Sequence, residues 1–300
     1  MRPMQNPARQ ALRAAVLAAW AALAASFANL TAAQGSFGPY VPTPTVIVER
    51  LLTFAEIKKD DYLIDLGSGD GRIVISAATR YGASGHGIDI QEKLVGLANE
   101  NARAAGVGDR VRFQQGDLFQ ADLSRASVIT LYLLPGTITR LVPKLLAELK
   151  PGSRVVSHDY PLKPWPHERH LSFDLEEKRK ISGTTLTVLY YYIVPAQVQG
   201  IWEVRLPQAM ASAGAAAGTL RLAIEQTAEG ATARVLIGGE TAPLRDFAVK
   251  GESVSFTLPR PGGAGLALTG KAAADSIAGT LATASGLQPW TARRIKADGK

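Results

Sequence analysis

A chain of 300 residues is long for one domain, and an apolar fraction of 46% is ample for packed cores and argues against disorder, so two domains are expected. The absence of cysteine excludes disulfides, thiolate metal sites and cysteine nucleophiles together. The net charge of +7 is not a nucleic-acid footprint: residues 1–35 carry three arginines and no acid, residues 200–300 eleven basic and eight acidic side chains, and the middle nineteen and eighteen.

At the start, Arg2, Arg9 and Arg13 precede the apolar run Ala14–Ala28 and then small residues, the layout of a secretory signal peptide, with Thr31-Ala-Ala33 or Ser26-Phe-Ala28 as the cleavage site. The alternative is an uncleaved anchor, since about twenty such residues just span a bilayer and the arginines before them keep the N-terminus inside. The expectation is a protein exported to the periplasm or membrane-anchored by this segment, and a cytoplasmic one if the segment is not a working signal. Residues 34–44 form a Gly/Pro linker ending in Tyr40-Val-Pro-Thr-Pro44, extended by its prolines. Thr45–Phe54 then carries apolar residues at helical spacing.

The centre of the chain is Tyr62-Leu-Ile-Asp-Leu-Gly-Ser-Gly-Asp-Gly-Arg72, a short apolar strand that runs through a glycine turn into a helix, Ile73–Tyr81. Its Gly67-x-Gly69-x-Gly71 spacing departs from the dinucleotide fingerprint, which wants a glycine where Arg72 stands, and Asp65 and Asp70 flank the turn. Acids there repel a pyrophosphate and suit a cofactor that has positive charge and no phosphate, S-adenosylmethionine. A second strand, Ser84–Asp89, ends in an acid about twenty residues beyond the glycines, where a carboxylate takes ribose hydroxyls in a Rossmann-like fold. A third, read from Val111-Arg-Phe-Gln-Gln-Gly-Asp117-Leu-Phe119, ends in Asp117. These residues resemble motif one and its successors in the class I (seven-strand) methyltransferases. That resemblance implies a Rossmann-like α/β sheet, an adenine amino group held at Asp117, and cofactor contacts from Asp65, Gly67, Ser68, Gly69, Asp70, Asp89, Ile90, Asp117 and Leu118.

Tyr40-Val-Pro-Thr-Pro44, Asp65-Leu-Gly-Ser-Gly-Asp-Gly-Arg-Ile73, Asp117-Leu-Phe119 and Val128-Ile-Thr-Leu-Tyr-Leu-Leu-Pro135 together are similar to the small protein-lysine methyltransferases that, in animals, modify mitochondrial inner-membrane carriers and a subunit of ATP synthase. The similarity covers roughly residues 38–165. It implies a protein partner with an acceptor lysine, and a linker that folds over the cofactor at Thr43.

Beyond a helix over Gln91–Ala105, the fourth strand is expected over Ala126–Leu133 and a helix over Ile138–Leu149. The carboxyl end of that strand faces the ligand in open α/β sheets, so Tyr132 is a candidate for stacking on a cationic lysine or a sulfonium, or else a core residue. The loop lacks the Asn/Asp-Pro-Pro-aromatic sequence usual in adenine and small-amide methyltransferases. The fifth strand, Ser153–His158, ends at the same edge, and His158 is a candidate acceptor for the proton that a lysine ammonium must lose. His158, His167 and His170 lack a carboxylate partner at ligand spacing, so no metal is expected. Leu171–Lys180 and Thr185–Val194 read as a hairpin around Ser182-Gly183.

After Pro195 the texture changes to short alternating runs between glycine turns: Gly200–Val204, Gly218–Glu225, Ala231–Ile237, Ser253–Leu258, Gly265–Leu268, Ser276–Ala282 and Pro289–Arg293. These predict a C-terminal all-β barrel or sandwich with Trp202 and Trp290 plugging its ends, and a flexible loop over Ala211–Gly218. The organisation expected is residues 1–33 as signal or anchor, 34–44 as linker, 45–196 as methyltransferase domain and 197–300 as β domain. The expected activity is methyl transfer to a protein lysine. A small-molecule methyltransferase and a non-catalytic scaffold are the alternatives.

Overall fold

The computed structural model describes residues 40–207, 219–237, 240–259, 265–283 and 286–295. The segment read as signal peptide or anchor and the loop at Ala211–Gly218 lie outside the described residues. Val41–Lys300 forms one compact unit. Among the described residues no helix is long and apolar enough to cross a membrane.

The first layer system runs in chain order α1 (Thr45–Phe54), β1 (Tyr62–Leu66), α2 (Arg72–Tyr81), β2 (Ser84–Asp89), α3 (Glu92–Ala104), β3 (Val111–Gln115), β4 (Val128–Leu131), α4 (Pro135–Glu148), β5 (Arg154–His158), β6 (Arg169–Asp174), α5 (Glu176–Ser182) and β7 (Leu186–Ile193). The strands hydrogen-bond in the order β3-β2-β1-β4-β5-β7-β6. β1 to β5 are parallel, and β7 runs antiparallel to both β5 and β6. β1 and β4 are covered on both faces, which is why they read as unbroken apolar runs: Leu63, Ile64, Leu66, Val128, Ile129 and Leu131 are all buried. The fold is the Rossmann-like seven-strand sheet expected. Its parallel strands all end at one edge, so Leu66, Asp89, Leu131 and His158 are carried there together.

Two boundaries move. β3 ends at Gln115, leaving Asp117 in the following turn, and β4 ends at Leu131, leaving Tyr132 to Leu134 in the loop before α4. The expected hairpin over Leu171–Lys180 and Thr185–Val194 is β6, then a short helix, then β7. The alternation Leu171, Phe173, Leu175 imitates a longer strand. The chain turns at Asp174 instead, because Glu176 and Glu177 in the first turn and Arg179 and Lys180 in the last complement a helix dipole, and Gly183 at φ 76 closes it.

The second sheet is antiparallel, with β8 (Gly200–Arg205), β9 (Thr219–Thr227), β10 (Gly230–Ile237), β11 (Glu240–Pro243), β12 (Arg245–Lys250), β13 (Ser253–Leu258), β14 (Leu266–Ala273), β15 (Ser276–Thr283) and β16 (Gly286–Ile295) in the order β11-β10-β9-β8-β16-β15-β14-β13-β12. Its two end strands are consecutive in the chain, and the residue joining them, Leu244, donates its N–H to the Ala233 carbonyl on β10 at 2.8 Å, so the sheet curls into a nearly closed barrel. Trp202 and Trp290 are fully buried in one core with Phe256, and Gly270 leaves the room Trp290 needs, since a Cβ there would stand 2.9 Å from the indole. β11 and β12 were not among the expected runs. β11 is four residues ending in proline, and a register shift between Arg245 and Ala248 breaks the two-residue period of β12.

The barrel touches the first sheet at the edge opposite the strand ends named above. Ala196 donates its N–H to the Gly251 carbonyl at 2.7 Å, Gln197 reaches the Leu146 carbonyl at 2.9 Å, and Lys250 pairs with Glu168 at 2.7 Å.

Candidate active site

β1 delivers the chain into Gly67-Ser-Gly-Asp-Gly71, where all three glycines hold positive φ, 80, 54 and 82. Only glycine takes three such positions at little cost, and the turn then opens directly into α2. Two bonds pin the turn to β2: the N–H groups of Gly67 and Ser68 both reach the Ile88 carbonyl, at 2.9 and 3.0 Å. A third comes from the acid at the end of β2, whose Oδ2 accepts the Gly69 N–H at 2.8 Å while Oδ1 accepts the Gln91 N–H at 2.9 Å. Asp89 thus caps both the turn and the start of α3, and each oxygen keeps a further lone pair.

Asp65 lies beneath, 2% exposed, and accepts a hydrogen bond from Thr130 Oγ1 at 2.7 Å. Burial pushes its carboxyl up to about 7, with the negative charges of Asp89 and Asp70 adding to the rise against the Thr130 bond. Asp70 is held by the Arg72 guanidinium at 2.6 Å. Arg72 also donates to the Thr43 carbonyl at 2.8 Å, which lays the buried Thr43 and the end of the linker beside the glycine turn. Ser68 Oγ is buried without a hydrogen-bond partner among the described residues. Asp117 follows β3, accepts the Phe119 N–H at 2.9 Å and stands beside the buried Leu118; Ile90, at the end of β2, is half exposed. Phe119 is covered by Arg140, 4.3 Å from its ring centre.

The structure therefore brings Thr43, Asp65, Gly67, Ser68, Gly69, Asp70 and Asp89 to one edge, with Ile90, Asp117 and Leu118 on the adjoining strand ends. Three carboxylates around a turn that also holds an unpartnered buried hydroxyl, with one guanidinium on Asp70, leave an excess of negative charge and of acceptors, which fits a cationic ligand rich in hydroxyl and amino groups. S-adenosylmethionine has both features. The arrangement does not suit a pyrophosphate.

On the other side of β4, Leu133 packs against Gly67, where a Cβ would stand 2.7 Å from its Cδ2. Tyr132, half buried, stacks on the His158 ring with centroids 4.0 Å apart. Burial pushes its phenol up to about 12, and the charge and hydrogen bond of Asp159 act the same way. His158 is 1% exposed, neither ring nitrogen has a hydrogen-bond partner among the described residues, and burial holds its imidazole down to about 4. It supports the Tyr132 ring rather than facing open space. The sequence places Asp159 beside His158 at this edge but does not reveal its partner Lys178, which pairs with it at 2.7 Å; nothing local marks the lysine, because α5 reads as strand. His167 and His170 pack edge to face at 5.3 Å, and among the described residues no three His, Cys, Asp or Glu side chains form a group that could ligate a metal.

Comparison with known proteins agrees with this geometry. Residues 65–169 match the model of the ANTKMT methyltransferase domain. The chain is 42% identical over 128 residues to a protein-lysine N-methyltransferase of Saccharolobus islandicus, an alignment that takes in 42% of this chain and 80% of that protein. It is 36% identical to the mouse adenine nucleotide translocase lysine N-methyltransferase over 42% of this chain and 55% of that one, so it spans about half the length of that relative. A solved structure of an RNA methyltransferase from Salinibacter ruber with S-adenosyl-L-homocysteine is 48% identical and covers 53% of this chain and 96% of its own, with a TM-score of 0.47. With its glycine turn, its acids and four fifths of the Saccharolobus relative aligned to it, the chain belongs to the ANTKMT-domain family of class I, S-adenosylmethionine-dependent methyltransferases.

Proposed function

We propose that this protein methylates the side-chain amine of a lysine in a protein, using S-adenosylmethionine. The observation that carries the acceptor class is that residues 65–169 match a family whose curated relatives, archaeal and animal, are named for protein lysines. When bound, the cofactor supplies an electrophilic methyl group on a sulfonium. The chain's own residues would hold it through Asp89 toward ribose hydroxyls, Asp117 and Leu118 toward adenine, and Asp65, Ser68 and Asp70 toward the charged amino-acid end, with Thr43 and Ile90 at the rim.

A lysine amine attacks only when neutral, and its free pKa is about 10.4. Tyr132, raised to about 12, keeps its own proton, and His158 at about 4 is a weak acceptor sealed from solvent. The residues present therefore orient the amine and desolvate it, which lowers a lysine pKa by itself, and its proton leaves to water. In-line positioning supplies the rate. The β8–β16 barrel, fastened to the far edge of the first sheet, supports a role in attachment or in recognising a remote part of the substrate. The segment before residue 34 supports export or membrane association.

The test is to incubate the purified chain and methyl-labelled S-adenosylmethionine with cell extract, then divide the product by protease and by ribonuclease. Label that survives ribonuclease, is lost on proteolysis and maps by mass spectrometry to lysine supports the proposal; label in small molecules or RNA overturns it.

A further inference from the structure

β4 carries one polar side chain, Thr130, in an otherwise aliphatic strand. A buried hydroxyl is costly without a partner, and the register supplies one: Thr130 stands opposite Asp65 on β1, and its Oγ1 donates to Asp65 Oδ1 at 2.7 Å. Thr130 is fully buried and Asp65 is 2% exposed. Among the described residues no other hydrogen bond reaches the Asp65 carboxylate, so Oδ2 has no partner. The buried side-chain atoms that are both enclosed and unpartnered among the described residues are Ser68 Oγ, the two ring nitrogens of His158 and Thr187 Oγ1. Asp65 Oδ2 is not one of them, so the little of Asp65 that is exposed includes this oxygen. Two residues on, the chain enters the turn at Gly67, on which Leu133 from the loop after β4 packs. β4 and its loop therefore grip the start of the turn at two points, once through the acid and once through the glycine.

A hydroxyl has one proton to give. With that proton on Oδ1, a neutral Asp65 carries its own proton on Oδ2, and only the ionised form offers a bare acceptor at the opening. We infer that Thr130 is a positioning residue for cofactor binding: it holds Oδ1 on β4 and so presents Oδ2 of Asp65 to the ammonium of S-adenosylmethionine, an inference that rests on the reading of this turn as the seat of the cofactor's amino-acid end. The same bond favours the ionised carboxylate against burial and against the charges of Asp89 and Asp70, which hold the group up at about 7. Of the other groups around this face, Arg72 is engaged by Asp70, and α1, α2 and α3 pack apolar residues against the side of the sheet that carries Leu63 and, two residues on, Asp65. Tyr132 and His158, at the ends of β4 and β5, stay neutral between pH 6 and pH 9, at about 12 and about 4. Thr130 acts through Asp65 and thereby sets the pH range over which the cofactor is held.

The test uses the full chain and the variants Thr130→Val and Thr130→Ala, which both remove the hydroxyl but differ in shape, and Thr130→Ser, which keeps it. Thermal melts at pH 6 check the fold. The readout is S-adenosyl-L-homocysteine affinity by calorimetry from pH 6 to pH 9, taken at each pH as the ratio of variant to wild type so that titration of the ligand cancels. Losing one hydrogen bond to a carboxylate moves its titration up by about one pKa unit. Thr130→Val is therefore expected to bind about tenfold more weakly than wild type at pH 6, about fivefold at pH 7 and within about twofold at pH 9. Thr130→Ala should follow the same course with pH, offset from Thr130→Val only by a constant factor, and Thr130→Ser should stay within about twofold of wild type throughout. Unchanged affinity in Thr130→Val and Thr130→Ala, a loss of one size at every pH, or a Thr130→Ser variant that loses as much as the other two overturns the inference. The readout is cofactor binding alone, so methyl label found on RNA in place of lysine would overturn the acceptor class and leave this inference standing, whereas wild-type protein that binds no S-adenosyl-L-homocysteine at any pH would overturn it together with the cofactor site.

Discussion

Asp89 Oδ2 accepts the Gly69 N–H at 2.8 Å, so the acid at the end of the second strand locks the glycine turn at the end of the first, twenty residues earlier. The carboxylate that would take ribose hydroxyls also builds the turn beside them. Asp89→Ala therefore has two effects. Losing the bonds to Gly69 and Gln91 costs about 1–3 kcal/mol of stability, and losing charge-assisted bonds to the cofactor weakens its binding about ten- to a hundredfold. Asp117→Ala removes only the one bond to Phe119, so it is expected to spare stability and still weaken binding. Calorimetry and thermal melts on both variants check this; unchanged affinity in the two would sink the assignment of the site.

Asp65 makes cofactor binding depend on pH. Its folded pKa of about 7 lies above the ordinary aspartate value of 3.8, so without cofactor its contribution to stability is fully present below about 3.8 and is lost as pH rises through 7. A cationic ligand favours the ionised form. Affinity is then expected to rise about tenfold from pH 6 to pH 8, following the ionised fraction, with about one proton released on binding at pH 6. Asp65→Asn should flatten both the stability trend and the proton release, measured by calorimetry in buffers of different ionisation enthalpy. A wild-type affinity independent of pH across this range contradicts the reading.

Gly71 is the N-terminal boundary of α2 at φ 82, and a Cβ there would stand 2.6 Å from Phe113 Cζ and 3.0 Å from Ala98 Cβ. Both the left-handed backbone and the crowding oppose alanine. Gly71→Ala is expected to cost about 1–3 kcal/mol, seen as a lower denaturation midpoint, and to weaken cofactor binding because the turn shifts. An unchanged midpoint would show that the turn has more freedom than its contacts allow.

Much of this site is written in adjacent residues. Asp65-Leu-Gly-Ser-Gly-Asp-Gly71 is a single local pattern whose glycines can be matched to the positive φ they adopt, and parallel strands covered on both faces leave unbroken apolar runs such as Leu63 to Leu66. The pairing of Asp159 with Lys178 could not be found that way: the two are nineteen residues apart, and the alternation that ends at Leu175 hides the helix carrying the lysine. The barrel's outline was legible from its glycine turns, but β12 was lost because a bulge moves its apolar residues out of period. Where a feature depends on contacts between distant segments, local spacing is silent.

The boundary at residue 196 yields the last prediction. Every candidate cofactor residue from Thr43 to Leu118, and Tyr132 with its neighbours, belongs to the stretch of chain that builds the first sheet, whose seven strands end at Ile193. The contacts with the barrel through Ala196, Gln197, Glu168 and Ile193 are placed at the edge away from the glycine turn. The first sheet also has its own core, from Ile47 to Tyr191. Residues 38–196 are therefore expected to fold alone and to bind S-adenosyl-L-homocysteine within about threefold of the full chain, while methylation of the native acceptor falls further. Around Gly152 and Val194, where Gly251 of the barrel approaches, the Gly152 N–H bonds to the Val194 carbonyl within the first unit itself. Expression of the fragment, a thermal melt and a calorimetric titration decide the matter: an insoluble fragment, or a soluble one that fails to bind the cofactor product, would mean that the barrel is part of the cofactor domain's fold and that the boundary is misplaced.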